Sequence, residues 1–213
     1  MVKYDKRINI LIYVGSFKPP HRGHYKLIKE YIKRYDKIII IISNKSRPLD
    51  PLLKDINRLD LEEMENKLGV KLKSKKEGIE IYKRYINDNK IPNINAEESE
   101  KIWSIYLKYL GDKERDKISL IISKKDSPVK LGMSIYNKLD KSKYNVIFLK
   151  SEKNKNNKRF GEKVQIIGKY FERINSTDIR ELIFKKMKDK FYKYLPEELI
   201  EEDKLKVWNI VKK

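Results

Sequence analysis

The chain has 213 residues, no cysteine and a formal net charge of +20, from 51 Lys+Arg against 31 Asp+Glu. That length can bury a core as one domain, and the missing thiols exclude disulfides and thiolate zinc sites. The apolar run Ile38 to Ile42 is far too short to span a membrane, and no other is longer; no signal-peptide apolar region follows Met1–Lys6, so a cytoplasmic protein without a secretory signal is expected.

Such a charge attracts polyanions. Yet Lys outnumbers Arg about fourfold, and Asn, Ile and Tyr are also abundant. All four have A/T-rich codons, so genome composition accounts for the excess as well as a selected partner does. A nucleic-acid interface would favour Arg, which forks and stacks.

The apolar run Ile8–Val14 predicts a first strand, and Leu27, Ile28, Tyr31, Ile32 and Tyr35 predict a helix behind it. Between them lies Gly15-Ser-Phe-Lys-Pro-Pro-His21-Arg-Gly-His24, with both histidines of the chain. Lys37–Ser43 reads as a strand buried on both faces. Pro51–Leu68 and Lys75–Asn89 read as two charged helices, so residues 48–92 are expected to be a helical insertion: a surface excursion or a lid. Asn95–Glu98 is a capping-box pattern, and the helix behind it would bury Ile102, Trp103, Tyr106, Leu107 and Leu110. Lys117–Ser123 predicts a third strand, and Asp126-Ser-Pro128 the start of a helix. Tyr144–Leu149 predicts a fourth strand, Ser151–Arg159 a mobile polar loop, and Val164–Ile167 a fifth strand. Ile174–Thr177 then leads into a helix with Ile179, Leu182, Ile183 and Met187 inward, and a last helix ends near Val211. Alternating strands and helices argue for an α/β fold with a parallel sheet.

Gly-Ser-Phe-x-Pro-Pro-His-x-Gly-His resembles the nucleotide-binding signature of the nucleotidylyltransferase superfamily, the cytidylyltransferase-like enzymes. Ile174-Asn-Ser-Thr-Asp-Ile-Arg180 is similar to that family's Ile-Ser-Ser-Thr-x-x-Arg, and the two motifs stand in the family's order. The resemblance implies a single Rossmann-like, three-layer domain over 1–213, with about five parallel strands. It implies transfer of AMP or CMP from ATP or CTP to a phosphorylated small-molecule acceptor, with magnesium carried by the triphosphate. His21, His24 and Arg180 would be catalytic. Gly15, Ser16, Phe17, Gly23, Ser176 and Thr177 would bind nucleotide phosphates.

The residue types suit that chemistry. Nucleotidyl transfer needs positioning and charge stabilisation more than a protein nucleophile. A loop entering a helix offers N–H groups to an anion, and imidazoles donate to phosphate oxygens. Ser176 is expected to cap its helix, with Arg180 one turn in, able to fork two oxygens. A metal pair on the histidines would need further ligands, so no protein metal site is expected. Lys45, Arg47 and, more weakly, Lys54 follow the second strand and could hold an acceptor phosphate. Lys18 stands where many relatives carry an acid, Asn175 replaces a common Ser, and Leu149-Lys-Ser-Glu152 lacks the Gly-x-Asp of some adenylyltransferases. Lys186–Lys190 faintly echoes a synthetase loop but reads as a Lys-rich helix face. The alternative is a nucleotide- or nucleic-acid-binding protein of the same fold without transferase activity. No membrane partner is expected.

Overall fold

The computed structural model describes residues 7–124, 127–150, 158–160, 163–166, 169–172 and 174–213. β1 (Ile8–Gly15) has a β-branched residue at every second position and β2 (Lys37–Ile42) is a run of isoleucines after Lys37, and α1 (Arg22–Tyr31) crosses between them. α1 stops at Tyr31, a turn before the last residue of the predicted stripe.

The polar segment after β2 is stapled at its ends. β3 (Arg47–Pro48) opens it. Pro51–Leu68 is not the single helix that the sequence predicts: Pro51–Arg58 is a pair of short 3-10 turns broken at Asp55 (φ −132°, ψ 67°), and Asp60 starts a new helix, α2 (Leu61–Leu68). The Asp60 carboxylate accepts from the Glu63 N–H at 2.8 Å, and the Glu63 carboxylate from the Asp60 N–H at 2.9 Å. This reciprocal cap outcompetes a continuous helix. α3 (Lys75–Asn87) follows, and β4 (Asn93–Ile94) returns antiparallel to β3. Leu53, Ile56, Met64, Leu68, Leu72 and Ile91 form an apolar cluster separate from the main core.

α4 (Ala96–Leu107) starts at the expected capping box of Asn95 and Glu98 and buries Ile102, Trp103 and Tyr106. α5 (Asp112–Arg115) is one turn. β5 (Ile118–Ile122) leads to α6 (Pro128–Lys138), capped by Ser127, and then to β6 (Tyr144–Lys150). Asp126 and Ser151–Asn157 lie outside the described residues.

The central sheet is parallel, in the order β5-β2-β1-β6. It has four strands, not five. The expected fifth, Val164–Ile167, falls in a separate antiparallel sheet formed by β7 (Lys158–Phe160), β8 (Lys163–Ile166) and β9 (Lys169–Glu172), with Ile167 outside the described residues. A parallel neighbour needs a crossover of a dozen residues or more; two residues separate β7 from β8, so they pair as a hairpin. Arg159, placed in a loop by its composition, lies in β7.

α7 (Ser176–Phe184), α8 (Lys188–Tyr192) and α9 (Glu201–Val211) complete the chain. Lys186, at φ 55°, breaks the chain between α7 and α8. Lys186–Lys190 therefore spans a helix junction rather than one helix face. Alternate residues of the strands face two cores. Leu11, Tyr13, Ile38 and Ile40 meet α1, α4, α7, α8 and α9 on one side. Ile10, Ile12, Ile39 and Ile41 meet α6 on the other. This gives three layers. A Cβ on Gly132 of α6 would stand 2.5 Å from Phe148 Cε2, so only glycine lets α6 lie this close to the sheet. Strand order reverses at β1, between β2 and β6, where ligands enter open parallel sheets at the strands' carboxyl ends.

Candidate active site

The loop from Ser16 to His21 leaves β1 at that reversal. Gly15 closes the strand and Ser43 continues the ladder, its N–H donating to the Gly15 carbonyl at 3.0 Å. Phe17 adopts a left-handed backbone, φ 52°, which side chains rarely do. Its buried ring stands edge-on to Tyr13 and His24, each at 5.0 Å between ring centres, and to Trp103 at 5.7 Å. This packing holds the unusual backbone, and it places the Phe17 side chain in the wall of the site.

Lys18 is fully buried. Its Nζ donates to the carbonyls of Ser16, at 3.2 Å, and Ser43. Burial, and then the Arg47 guanidinium, push its ammonium down to about 7. The loop is fastened from three more sides. Arg180 Nη1 donates to the Lys18 carbonyl at 2.9 Å, the Tyr106 hydroxyl to the Pro20 carbonyl at 3.1 Å, and the Arg22 N–H to the Tyr194 carbonyl at 2.8 Å.

His21 caps α1 and His24 is its third residue. Their rings stack at 3.6 Å. His24 Nδ1 accepts the His21 N–H at 3.3 Å, so a neutral His24 carries its proton on Nε2. Burial pushes His24 down to about 3. Burial, His24 and Arg22 hold His21 well below the usual imidazole range. Both rings are therefore neutral near pH 7. His21 Nδ1 and Ser16 Oγ are buried and find no hydrogen-bond partner among the described residues. A Cβ on Gly23 would sit 3.2 Å from His21 Cε1 and Nδ1 and 3.4 Å from Ile174 Cδ1, so Gly23 makes room for the imidazole.

The second motif reaches the same loop. Asn175, not Ser176, caps α7: its Oδ1 accepts the Thr177 N–H at 3.0 Å. Ser176 is the first helical residue. Thr177 Oγ1 accepts from Arg180 Nη2 at 3.1 Å, and Arg180 is buried to 8 % exposure. Arg180 thus links α7 to the loop directly.

The two acceptor candidates differ. The Lys45 side chain is exposed, whereas Arg47 is half-buried at the start of β3 and acts electrostatically on Lys18. The Lys54 side chain lies outside the described residues. Tyr82 of α3 donates to the Leu53 carbonyl at 3.1 Å, and its phenol, pushed up to about 12 by burial, feels the charges of Arg47 and Arg180. The polar segment therefore comes beside the site. Sequence reasoning missed Tyr82, Tyr106 and the cap at Asn175. For Lys18 the signal was there: a lysine inside a motif where relatives carry an acid.

The cytidylyltransferase-like family model matches residues 12–182, a span that contains both motifs. The chain is 36 % identical over 73 residues to a phosphopantetheine adenylyltransferase of Mycoplasma capricolum subsp. capricolum, covering 29 % of this chain and 52 % of that protein. It is 36 % identical over 69 residues to a phosphopantetheine adenylyltransferase of Mycoplasma mycoides subsp. mycoides SC, covering 27 % and 49 %. The chain spans about half the length of the curated relatives it matches. Among the described residues, no helix is long and apolar enough to cross a membrane.

Proposed function

The chain belongs to the cytidylyltransferase-like family, and from that premise we propose that it transfers a nucleotidyl group from a nucleoside triphosphate to a phosphorylated acceptor. An acceptor phosphate oxygen bonds to the α-phosphorus, the bond from that phosphorus to the bridging oxygen of the β-phosphate breaks, and pyrophosphate leaves. The observation that carries this reading is the convergence of His21, His24 and Arg180 on one loop at the carboxyl end of β1. The imidazoles are neutral donors, and phosphate charge arriving beside them raises their proton affinity as negative charge builds up. Arg180 supplies the fixed charge and is already held in place.

The names of the two curated relatives favour ATP over CTP and put 4′-phosphopantetheine first among acceptors to test. Arg47 is the stronger of the two acceptor candidates, being half-buried, and residues 48–92 would cover the acceptor through Tyr82. Magnesium would arrive on the triphosphate, since it binds mostly through substrate phosphates and water.

The test is a pyrophosphate-release screen of ATP and CTP, with magnesium, against 4′-phosphopantetheine and other phosphorylated small molecules. Release that depends on both ATP and one acceptor is expected. No release with any pair, together with steeply salt-dependent binding of RNA or DNA, would return the non-catalytic alternative.

A further inference from the structure

Lys18 has an environment unusual for lysine, a residue that is almost never fully buried unless paired. It is 0 % exposed, and among the described residues no carboxylate forms an ion pair with it. Its amine instead bridges two main-chain carbonyls, Ser16 just past β1 and Ser43 just past β2. Its own carbonyl takes the Arg180 guanidinium at 2.9 Å. The residue before it, Phe17, holds a left-handed backbone, a conformation that persists only where its surroundings over-determine it. One residue thus ties together the ends of the two central strands, the strained step of the loop and α7.

We propose that Lys18 is a positioning residue: its buried amine clamps the carboxyl ends of β1 and β2, and so fixes the loop that carries Ser16 and His21 and leads into α1 with His24. This rests on the nucleotidyl-transfer reading for its kinetic consequences only. The clamp works by N–H donation. A neutral amine keeps two N–H groups for the two carbonyls, so the clamp persists when the ammonium loses its proton near neutrality. Of the charged groups near it, Arg47 of β3 acts on the amine and Arg180 of α7 bonds the residue's own carbonyl.

The test compares wild type, Lys18→Met and Lys18→Cys. The chain has no cysteine, so Lys18→Cys carries a single thiol. Unfolded, it can be aminoethylated to a side chain of lysine's length and then refolded. We measure kcat and KM for pyrophosphate release, the Kd of ATP–magnesium by calorimetry, and hydrogen exchange of the Ser43 amide. The expected result is a Lys18→Met kcat at least tenfold lower, a Kd within threefold of wild type, exchange at Ser43 at least tenfold faster, and recovery of both on aminoethylation. A kcat within twofold of wild type with unchanged exchange overturns the clamp. So does a loss confined to Kd, which is the mark of a charge contact with nucleotide. If Lys18→Met does not fold, the aminoethylated and thiol forms of Lys18→Cys are compared, and Ser43 exchange that is equal in the two overturns the clamp. If wild type releases no pyrophosphate with any acceptor, the functional reading fails, and Ser43 exchange alone decides the clamp.

Discussion

Replacing Arg180 by alanine should cost stability and activity together. Its guanidinium gives one hydrogen bond to the Lys18 carbonyl at 2.9 Å and one to Thr177 Oγ1 at 3.1 Å, from a site only 8 % exposed. A hydrogen bond from a charged donor is worth about 1.5–3 kcal/mol, and removing the donor leaves a carbonyl short of a partner. Water can enter the truncated site and recover part of this, so about 2–3 kcal/mol is expected. In a chain of this size that lowers Tm by roughly 5–10 °C. A surface arginine balancing Asp178 and Glu181 would cost under about 0.5 kcal/mol. Activity should fall further, by about 100-fold in kcat/KM, because the loop loses its fastening and the phosphates lose a fixed charge. Arg180→Lys keeps a charge but cannot fork. It should recover about half the stability and less of the activity. Thermal melts and kcat/KM for ATP on both variants settle the matter. A Tm within 2 °C of wild type for Arg180→Ala would refute the fastening, and full activity would remove Arg180 from the site.

Gly23→Ala should leave Tm almost unchanged while lowering kcat about tenfold. The new methyl group helps the helix but displaces the His21 ring by a few tenths of an ångström, and small misplacements at reacting groups are costly; turnover within twofold of wild type would count against His21. Because His21 and His24 are held neutral, the unfolded chain binds more protons than the folded one below about pH 6.5, so their contribution to stability is present above that pH and is lost as pH falls toward about 3 for His24. Urea midpoints at pH 7 and pH 5 should show up to about 1.4 kcal/mol lost per pH unit per histidine, on top of the carboxylate contribution; a His21→Gln, His24→Gln double variant with the same pH slope as wild type would refute this. Asn175→Ala should destabilise the chain by about 0.5–2 kcal/mol and Ser176→Ala by much less, since Asn175 makes the capping bond; equal losses in chemical denaturation would put the cap back on Ser176.

The sequence by itself determined the elements whose signals are local. Runs such as Ile38–Ile42, short and wholly β-branched, favour buried strands, Asn95 and Glu98 satisfy each other's N–H groups three residues apart, and two motifs at opposite ends of the chain identified the loop and the helix that meet. What it misread were competitions between neighbours: whether Asp60 would end one helix or start another, which of two adjacent residues would cap α7, and which strand Val164 would join. What only the tertiary structure decided are contacts between residues far apart in sequence. Lys18 and Arg180 are 162 positions apart; the motif singles Lys18 out, but nothing local shows that its amine would be fully buried. Pattern gives a side chain's preferred face, but a buried amine depends on two carbonyls that two separate strands bring within reach. The same holds for Gly23, whose need to be glycine comes from an imidazole folded back over it, and for Tyr82, which reaches the neighbourhood of Arg47 and Arg180 only because β3 and β4 pair and close the segment between them.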